Sequence, residues 1–400
     1  MKKVIFIMLV VSLLFACTKY EEDIKIPVQD YKTLSPDNIN TTLKIANLIV
    51  DQAEFNEMYS NFGIDIEIDA VLSVYKNGEI LLENEVVEIE IKGSSSAKYS
   101  LKSLGVKFDN TYNNEDRKLI DPEILPFHSL DKIKAFRFRN SGIDFRSTML
   151  KDMSLTKLAI DAGLNIDLTY AEQVVVFVND AFYGVMNLRT EANTNGMSRL
   201  YDVSKSEITL AKINGDGGLE MKDGDFDKIA NFIDAIENGD FTYLSNEIDV
   251  DNFIDYMIFE SYIGNLDWPR NNVRFFAIND GPFRFIMFDL DAAVNRGIDN
   301  PPLSFINNSG TANVITDLFN VMYADETFKN IYDARFNDLN NSGLLSSERL
   351  DNIITDYKSN IEHIMPVQID KYNYPETYTN WYINLEQLKH NYKNREDYLK

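Results

Sequence analysis

The sequence predicts an α+β protein in which a β-rich N-terminal part with one helix precedes a mostly α-helical C-terminal part. The first observation is the stretch Val87 to Ile91, which puts Val87, Ile89 and Ile91 on one face and Glu88 and Glu90 on the other. That is the period of a half-buried strand. The second is that further strand patterns crowd the chain before residue 190, whereas helical spacing dominates after residue 225. The third is composition: with 44% hydrophobic and 12% aromatic residues, the 400-residue chain can bury one large two-part core or two to three smaller ones.

The chain opens on Lys2 and Lys3 and continues as an apolar run from Val4 to Phe15, interrupted only by Ser12. The run is too short to span a bilayer and reads as a signal peptide over residues 1–16. It ends in Leu14-Phe15-Ala16-Cys17, which resembles the lipobox of bacterial lipoproteins. The resemblance implies cleavage before Cys17, acylation of Cys17 and anchoring in the bacterial cell envelope. Cys17 is the single cysteine of the chain, so internal disulfides and cysteine metal sites are excluded. Thr18 fits passage to the outer membrane, and the charged residues that follow, Lys19 to Asp23, resemble surface-export signals. Residues 17–45 are polar, contain Pro27 and Pro36, and read as a lipidated N-terminus and tether. No later stretch is apolar enough to cross a membrane. The formal charge of −24 argues against non-specific binding to nucleic acid or anionic lipid.

Folding is expected to begin with a hairpin, Val71 to Tyr75 and Ile80 to Leu82, around the turn signal Lys76-Asn77-Gly78. The alternating strand follows, then an apolar stretch at Val106 to Phe108 and a strand over Ile133 to Phe138. A helix is expected over roughly Thr148 to Ala162, and a second hairpin pairs Val174 to Val178 with Phe182 to Leu188 around Asn179-Asp180. Helices are read over Phe226 to Glu237 and Val250 to Ile263, a strand pair over Val273 to Ala277 and Phe283 to Phe288, and helices again from about Thr316 onward.

Three histidines, His128, His363 and His390, stand in unrelated contexts. That argues against a serine-histidine-acid hydrolase and a histidine-rich zinc site, and leaves carboxylates, lysine and bound metal to carry any catalysis. Three segments fit that chemistry. In Lys92-Gly93-Ser94-Ser95-Ser96-Ala97-Lys98-Tyr99-Ser100-Leu101-Lys102, backbone N–H groups and hydroxyls could wrap phosphate oxygens while a lysine adds charge. A serine-rich turn with a solvated lysine is the plainer reading of that segment alone. In Gly264 to Asn272, Asp267 and Asn272 stand five apart, the spacing at which protein kinases place a hydroxyl-orienting aspartate and an Mg2+-binding asparagine. In Phe285-Ile286-Met287-Phe288-Asp289-Leu290-Asp291, an apolar strand ends in two hard oxygen ligands suited to Mg2+.

Together and in this order, the segments resemble the CotH kinase family, from about Leu43 to the C-terminus. The resemblance also rests on Phe136-Arg137-Phe138-Arg139-Asn140-Ser141-Gly142 with Met149-Leu150-Lys151-Asp152, on Val174 to Gly184, and on Asn187-Leu188-Arg189-Thr190-Glu191. It implies a two-lobed atypical protein-kinase-like fold, with a β-rich N-lobe over 46–190 and a helical C-lobe over 191–400. It further implies that ATP lies between the lobes with Mg2+, or Mn2+ in its place. On that resemblance Asp267 is the catalytic aspartate, and Asn272 with one or both of Asp289 and Asp291 holds the metal. Gly93, Ser94, Ser95 and Ser96 lie in the phosphate loop, Lys102 holds the α/β-phosphates, and Lys107 is a second candidate. Asp152 is expected to pair with that lysine, and Glu191 to lie near the inter-lobe hinge.

Several positions depart from the family pattern. Arg-Gly-Asn-Ser reads Lys92-Gly93-Ser94-Ser95, the first lysine of the pair is Leu101, the tyrosine after it is Leu104, and Phe288 replaces a tryptophan. The Gly- and Asp-rich stretches Asn214 to Gly218 and Asp223 to Asp227 lack EF-hand spacing and read as a surface loop, with Asp225 capping the next helix. The expected function is transfer of the ATP γ-phosphoryl group to a protein hydroxyl of serine or threonine. The alternative is a non-catalytic surface adhesion or assembly lipoprotein with a pseudokinase-like fold, motivated by the scarcity of ATP outside the cytoplasm.

Overall fold

The computed structural model describes residues 30–108, 124, 133–215, 217–295, 301–307 and 313–400. Cys17, the export segment and His128 lie outside the described residues. In chain order, the first half contains β1 (Lys44–Val50), α1 (Gln52–Ser60), β2 (Glu67–Lys76), β3 (Glu79–Lys92), β4 (Ser103–Phe108) and β5 (Ala135–Arg139). It continues with α2 (Lys151–Asp161), β6 (Asp167–Leu168), β7 (Ala171–Val178) and β8 (Ala181–Arg189). Seven of these strands close into a barrel in the order β1-β2-β3-β4-β5-β8-β7, sealed by the parallel pairing of β1 with β7.

Both expected hairpins form, for a local reason. Asn77 and Gly78 take φ of 52° and 80°, and Asn179 and Asp180 take 49° and 60°. Two successive left-handed residues make the turn whose twist matches paired strands. Strand parity then sorts the barrel's two faces. Ile91, Leu104, Phe138 and Leu188 stand opposite one another on the core face, while Glu90, Gly105, Arg137 and Arg189 form a row on the other.

The second half supplies α3 (Thr194–Leu200), β9 (Ile208–Ile213), β10 (Leu219–Asp223), α4 (Phe226–Asn238), α5 (Phe241–Glu247), α6 (Val250–Tyr262), β11 (Val273–Ile278) and β12 (Arg284–Met287). A five-stranded sheet runs β10-β9-β11-β12-β6, so the expected strand pair is the centre of a larger sheet. It closes with α7 (Pro302–Asn307), α8 (Val314–Tyr323), α9 (Glu326–Asn341), α10 (Ser347–Ile361), α11 (Met365–Tyr372) and α12 (Tyr378–Leu399). The architecture is mixed α+β, as the sequence predicts. Asp225 caps α4 by accepting from the Lys228 N–H at 3.0 Å, the role read for it in the sequence.

Aromatic packing joins α6 to the second sheet: Phe253 lies 4.9 Å from Phe285, and Tyr256 stacks 5.3 Å from the same ring. Burying each such side chain contributes about 1.5–3 kcal/mol. The long helix α12 ties the pieces together. Trp381 Nε1 donates to the Thr148 carbonyl before α2, and Arg395 donates to the Ser261 and Tyr262 carbonyls that end α6. The folded part also reaches into the stretch expected to be a tether. Leu34 and Leu43 are buried and β1 starts at Lys44, two apolar anchors that a polar average conceals.

Candidate functional site

Alternation along Phe136-Arg137-Phe138-Arg139 sends both phenylalanines into the barrel and both arginines to its opposite face. There Arg139 Nη2 donates to Asp289 and, at 3.0 Å, to Asp291 Oδ2, while its Nε lies 3.3 Å from Asp152 Oδ2. Arg189 Nη1 donates to the same Asp152 oxygen at 2.6 Å. Burial pushes the Asp152 carboxyl up, but Arg189 and Arg139 outweigh it and hold it below the usual range. One step along, Arg137 Nη2 donates to Glu191 at 3.0 Å.

The turn after β5 completes this side. Gly142 has φ +60°, and a Cβ there would overlap Asp291 Oδ2 and crowd Arg139 Nη2. The next amide, Ile143 N–H, donates to Asp291 Oδ2 at 2.9 Å. Asp291 is therefore gripped by barrel residues on one oxygen. Burial followed by the neighbouring Asp289 raises its pKa well above the ordinary carboxylate value, against the opposing charge of Arg139. Lys151 at the start of α2 donates to Asn295 Oδ1 at 2.6 Å; burial lowers its pKa, opposed by Asp144 and Asp291.

The second sheet supplies the other side. Helix α6 ends at Tyr262, Gly264 follows with φ +59°, and the chain turns through Asn265 and Asp267 into β11. Trp268 is buried and its Nε1 donates to Tyr256 Oη at 3.0 Å, fixing the loop to α6. At the loop's end Asn272, at φ 58°, donates from Nδ2 to the Asp289 carbonyl at 3.5 Å. Asp267 is exposed, and its pKa is raised, through desolvation first and Asp289 second, with Arg270 opposing. Asp267, Asn272, Asp289 and Asp291 are thus brought together, with Asp152 joined to them through Arg139.

The serine-rich loop borders this place. Gly93, Ser94 and Ser95 are exposed, and the Ser96 carbonyl accepts from Asn140 Nδ2 at 3.4 Å, next to Arg139. Glu191 follows β8, where the chain leaves the barrel for α3. A cleft lined by Asn193, Thr194, Lys205, Ser206 and Asp223 opens beside that crossing and contains none of Asp267, Asp289 and Asp291.

The expected pairing of Asp152 with Lys102 requires correction. Lys102 precedes β4 on the parity of the barrel core, and its ammonium donates to the Ala97 and Tyr99 carbonyls and lies 4.0 Å above the Phe62 ring. Lys107 pairs with Glu88 at 2.6 Å. Neither pairs with Asp152, whose partners are the two arginines. Strands β5 and β8 put guanidinium groups, which match a carboxylate with several donors, beside Asp152 of α2, where a lysine was expected. Lys107 and Lys92 both stand on the arginine-bearing face; Lys92 pairs with Glu90, and its Cε would come 2.8 Å from a Cβ on Gly105, the cross-strand partner of Arg137.

Arg137, Arg139 and Arg189 were therefore missed as site residues, as was Glu260, buried in α6. The Arg-x-Arg alternation was a usable signal; a single acid in an apolar helix was not. Among the described residues, no group of three or more His, Cys, Asp and Glu side chains gathers as a metal cluster. Two aspartates and an asparagine nonetheless suit Mg2+, which takes one or two protein carboxylates and completes its shell with phosphate and water.

No curated protein matches the chain. The family model described as CotH kinase protein matches residues 89–399, a span that contains the site residues from Lys92 to Asp291. The chain belongs to the CotH kinase family.

Proposed function

We propose that the protein is an atypical protein kinase that transfers the γ-phosphoryl group of ATP to a serine or threonine hydroxyl of a protein. In this reading the barrel with α2 forms one lobe, the second sheet with its helices forms the other, and the crossing at Glu191 is the hinge between 46–190 and 191–400. The observation that carries it is the Arg139–Asp152 ion pair meeting Asp289, Asp291 and the Asp267–Asn272 loop at one place. A buried cation paired with an acid on the first helix, beside the metal-binding acid, is what phosphoryl transfer needs for charge and position.

Asp267 would orient the acceptor hydroxyl and take its proton as oxygen attacks the γ-phosphorus and the bond to the β-phosphate bridging oxygen breaks. Arg139 would offset phosphate charge, with Lys92, itself paired with Glu90, on the same barrel face. Asp289, whose side chain is 28% exposed against 6% for Asp291, is the better placed metal ligand, with Asn272 beside it. Bound Mg2+ would supply further neutralisation of the β- and γ-phosphates. Asp291, gripped by Ile143 N–H and Arg139, would keep the segment in register. A lipid on Cys17 would hold the enzyme at the outer membrane of a bacterial envelope, where its substrate protein must meet it.

The first test is thermal melting of the soluble part with and without ATP and Mg2+. Preferential binding to the folded state at about 100-fold excess over Kd stabilises by about 2.7 kcal/mol, so the midpoint should rise by several degrees. An unchanged midpoint at millimolar nucleotide would contradict nucleotide binding.

A further inference from the structure

Glu260 and Asn265 are both 0% exposed, yet neither belongs to the apolar core in kind. Glu260 stands on the last turn of α6, where its Oε2 accepts from Asn265 Nδ2 at 2.9 Å. The bond is doubled by the backbone, since Asn265 N–H donates to the Glu260 carbonyl at 3.3 Å. Asn265 then passes the constraint on: its Oδ1 accepts from the Asp267 N–H at 3.3 Å, and its carbonyl accepts from the Trp268 N–H at 3.2 Å. Among the described residues, Glu260 Oε1 has no hydrogen-bond partner.

A buried acid with an unpartnered oxygen costs stability, and an apolar residue of similar size would pack the same space without that cost. What a leucine could not do is hold the Asn265 amide, and without that hold the Asp267 N–H loses an oriented acceptor. The end of α6 is also where the metal-side segment docks, through Val294 N–H to the Ile263 carbonyl at 3.0 Å. Asp267 and the Asp289–Asp291 segment are thereby referred to the same rigid helix end.

We propose that Glu260 is a positioning residue for phosphoryl transfer, acting through Asn265 to fix the placement of Asp267 against the acceptor hydroxyl. The role rests on the reading of Asp267 given above. It requires a carbonyl-type acceptor at position 260, which glutamine also supplies, and it makes Glu260 and Asn265 one device.

Steady-state kinetics on Glu260→Gln, Glu260→Leu, Asn265→Ala and the Glu260→Leu/Asn265→Ala double variant decide it. Glu260→Leu and Asn265→Ala should each lower kcat about 30- to 100-fold with KM for ATP changed less than about 3-fold, while Glu260→Gln stays within about 3-fold of wild type. The double variant should lose no more than the worse single variant, since coupled residues are non-additive. Equal loss in Glu260→Gln and Glu260→Leu, or additive losses, would overturn the role. If Glu260→Leu does not fold, the contrast between Glu260→Gln and Asn265→Ala carries the same decision. Should wild type transfer no phosphate, the functional reading fails and the positioning claim is judged by amide exchange. Exchange at the Asp267 N–H should quicken about 10-fold or more in Asn265→Ala and not in Glu260→Gln; unchanged exchange in Asn265→Ala would overturn it.

Discussion

Arg139 Nη2 lies 3.0 Å from Asp291 Oδ2, and this contact joins the last strand of the barrel's β4–β5 pair to the segment that follows the second sheet. Because the same guanidinium also reaches Asp289 and Asp152, its removal leaves three carboxylates with one buried counter-charge fewer. Arg139→Ala should destabilise the fold by about 3–5 kcal/mol, the range for breaking a buried pair. Urea unfolding measures it, and a loss below about 1 kcal/mol would show the contact to be energetically idle.

Glu260 predicts a pH dependence of stability. Burial, followed by the charges of Asp152 and Asp289, raises its pKa to about 8 against the bond from Asn265. The unfolded carboxyl titrates near about 4.3, so between there and about 8 folding takes up a proton and stability falls as pH rises. The contribution is complete below the unfolded value and lost above the folded one. Glu260→Gln should remove this slope and be the more stable protein at pH 8 by a few kcal/mol, with the difference vanishing near pH 4. Parallel denaturation curves at all pH values would contradict the raised pKa.

Gly142 tests the grip on Asp291. A side chain there must adopt φ +60° and displace the Asp291 carboxylate. Gly142→Ala should cost about 2 kcal/mol or more, combining a left-handed backbone penalty with the broken contact to Ile143 and Arg139. A neutral substitution, read from the melting midpoint, would mean that the turn relaxes freely.

The lysines separate sequence expectation from structure. Lys92 lies along Gly105 on the arginine-bearing face, whereas Lys102 is held by the Ala97 and Tyr99 carbonyls. Lys92→Ala should raise KM for ATP about 10-fold, and Lys102→Met should change it less than about 3-fold once the two are compared at equal folded fraction. The reverse ranking would restore the role that family resemblance gives to Lys102.

What the sequence made legible was local. Hairpin turns announce themselves through Asn and Gly, strands through alternation, and the Asp267–Asn272 and Asp289–Asp291 segments through short spacings near element ends. What it concealed was long-range. Asp152 chooses Arg139 and Arg189 over a lysine because β5, β8 and α2 converge, and pairing across distant elements leaves no mark in either segment alone. β9, β10 and the two-residue β6 were missed because their strand character comes from joining the sheet around β11 and β12. Glu260 was overlooked because the surrounding apolar run reads as core, and only the fold brings Asn265 back onto it.

The most direct test is incorporation of labelled γ-phosphate from ATP into protein with Mg2+, comparing wild type with Asp267→Asn. The side chain of Asp267 is exposed and near Asp289, so the neutral substitution removes a repulsion and should leave the melting midpoint within a few degrees of wild type. Incorporation should be clear in wild type and fall about 100-fold or more in the variant. Equal incorporation in both proteins would eliminate Asp267 as the hydroxyl-orienting group, and none in wild type across diverse protein acceptors would favour the non-catalytic reading of the fold.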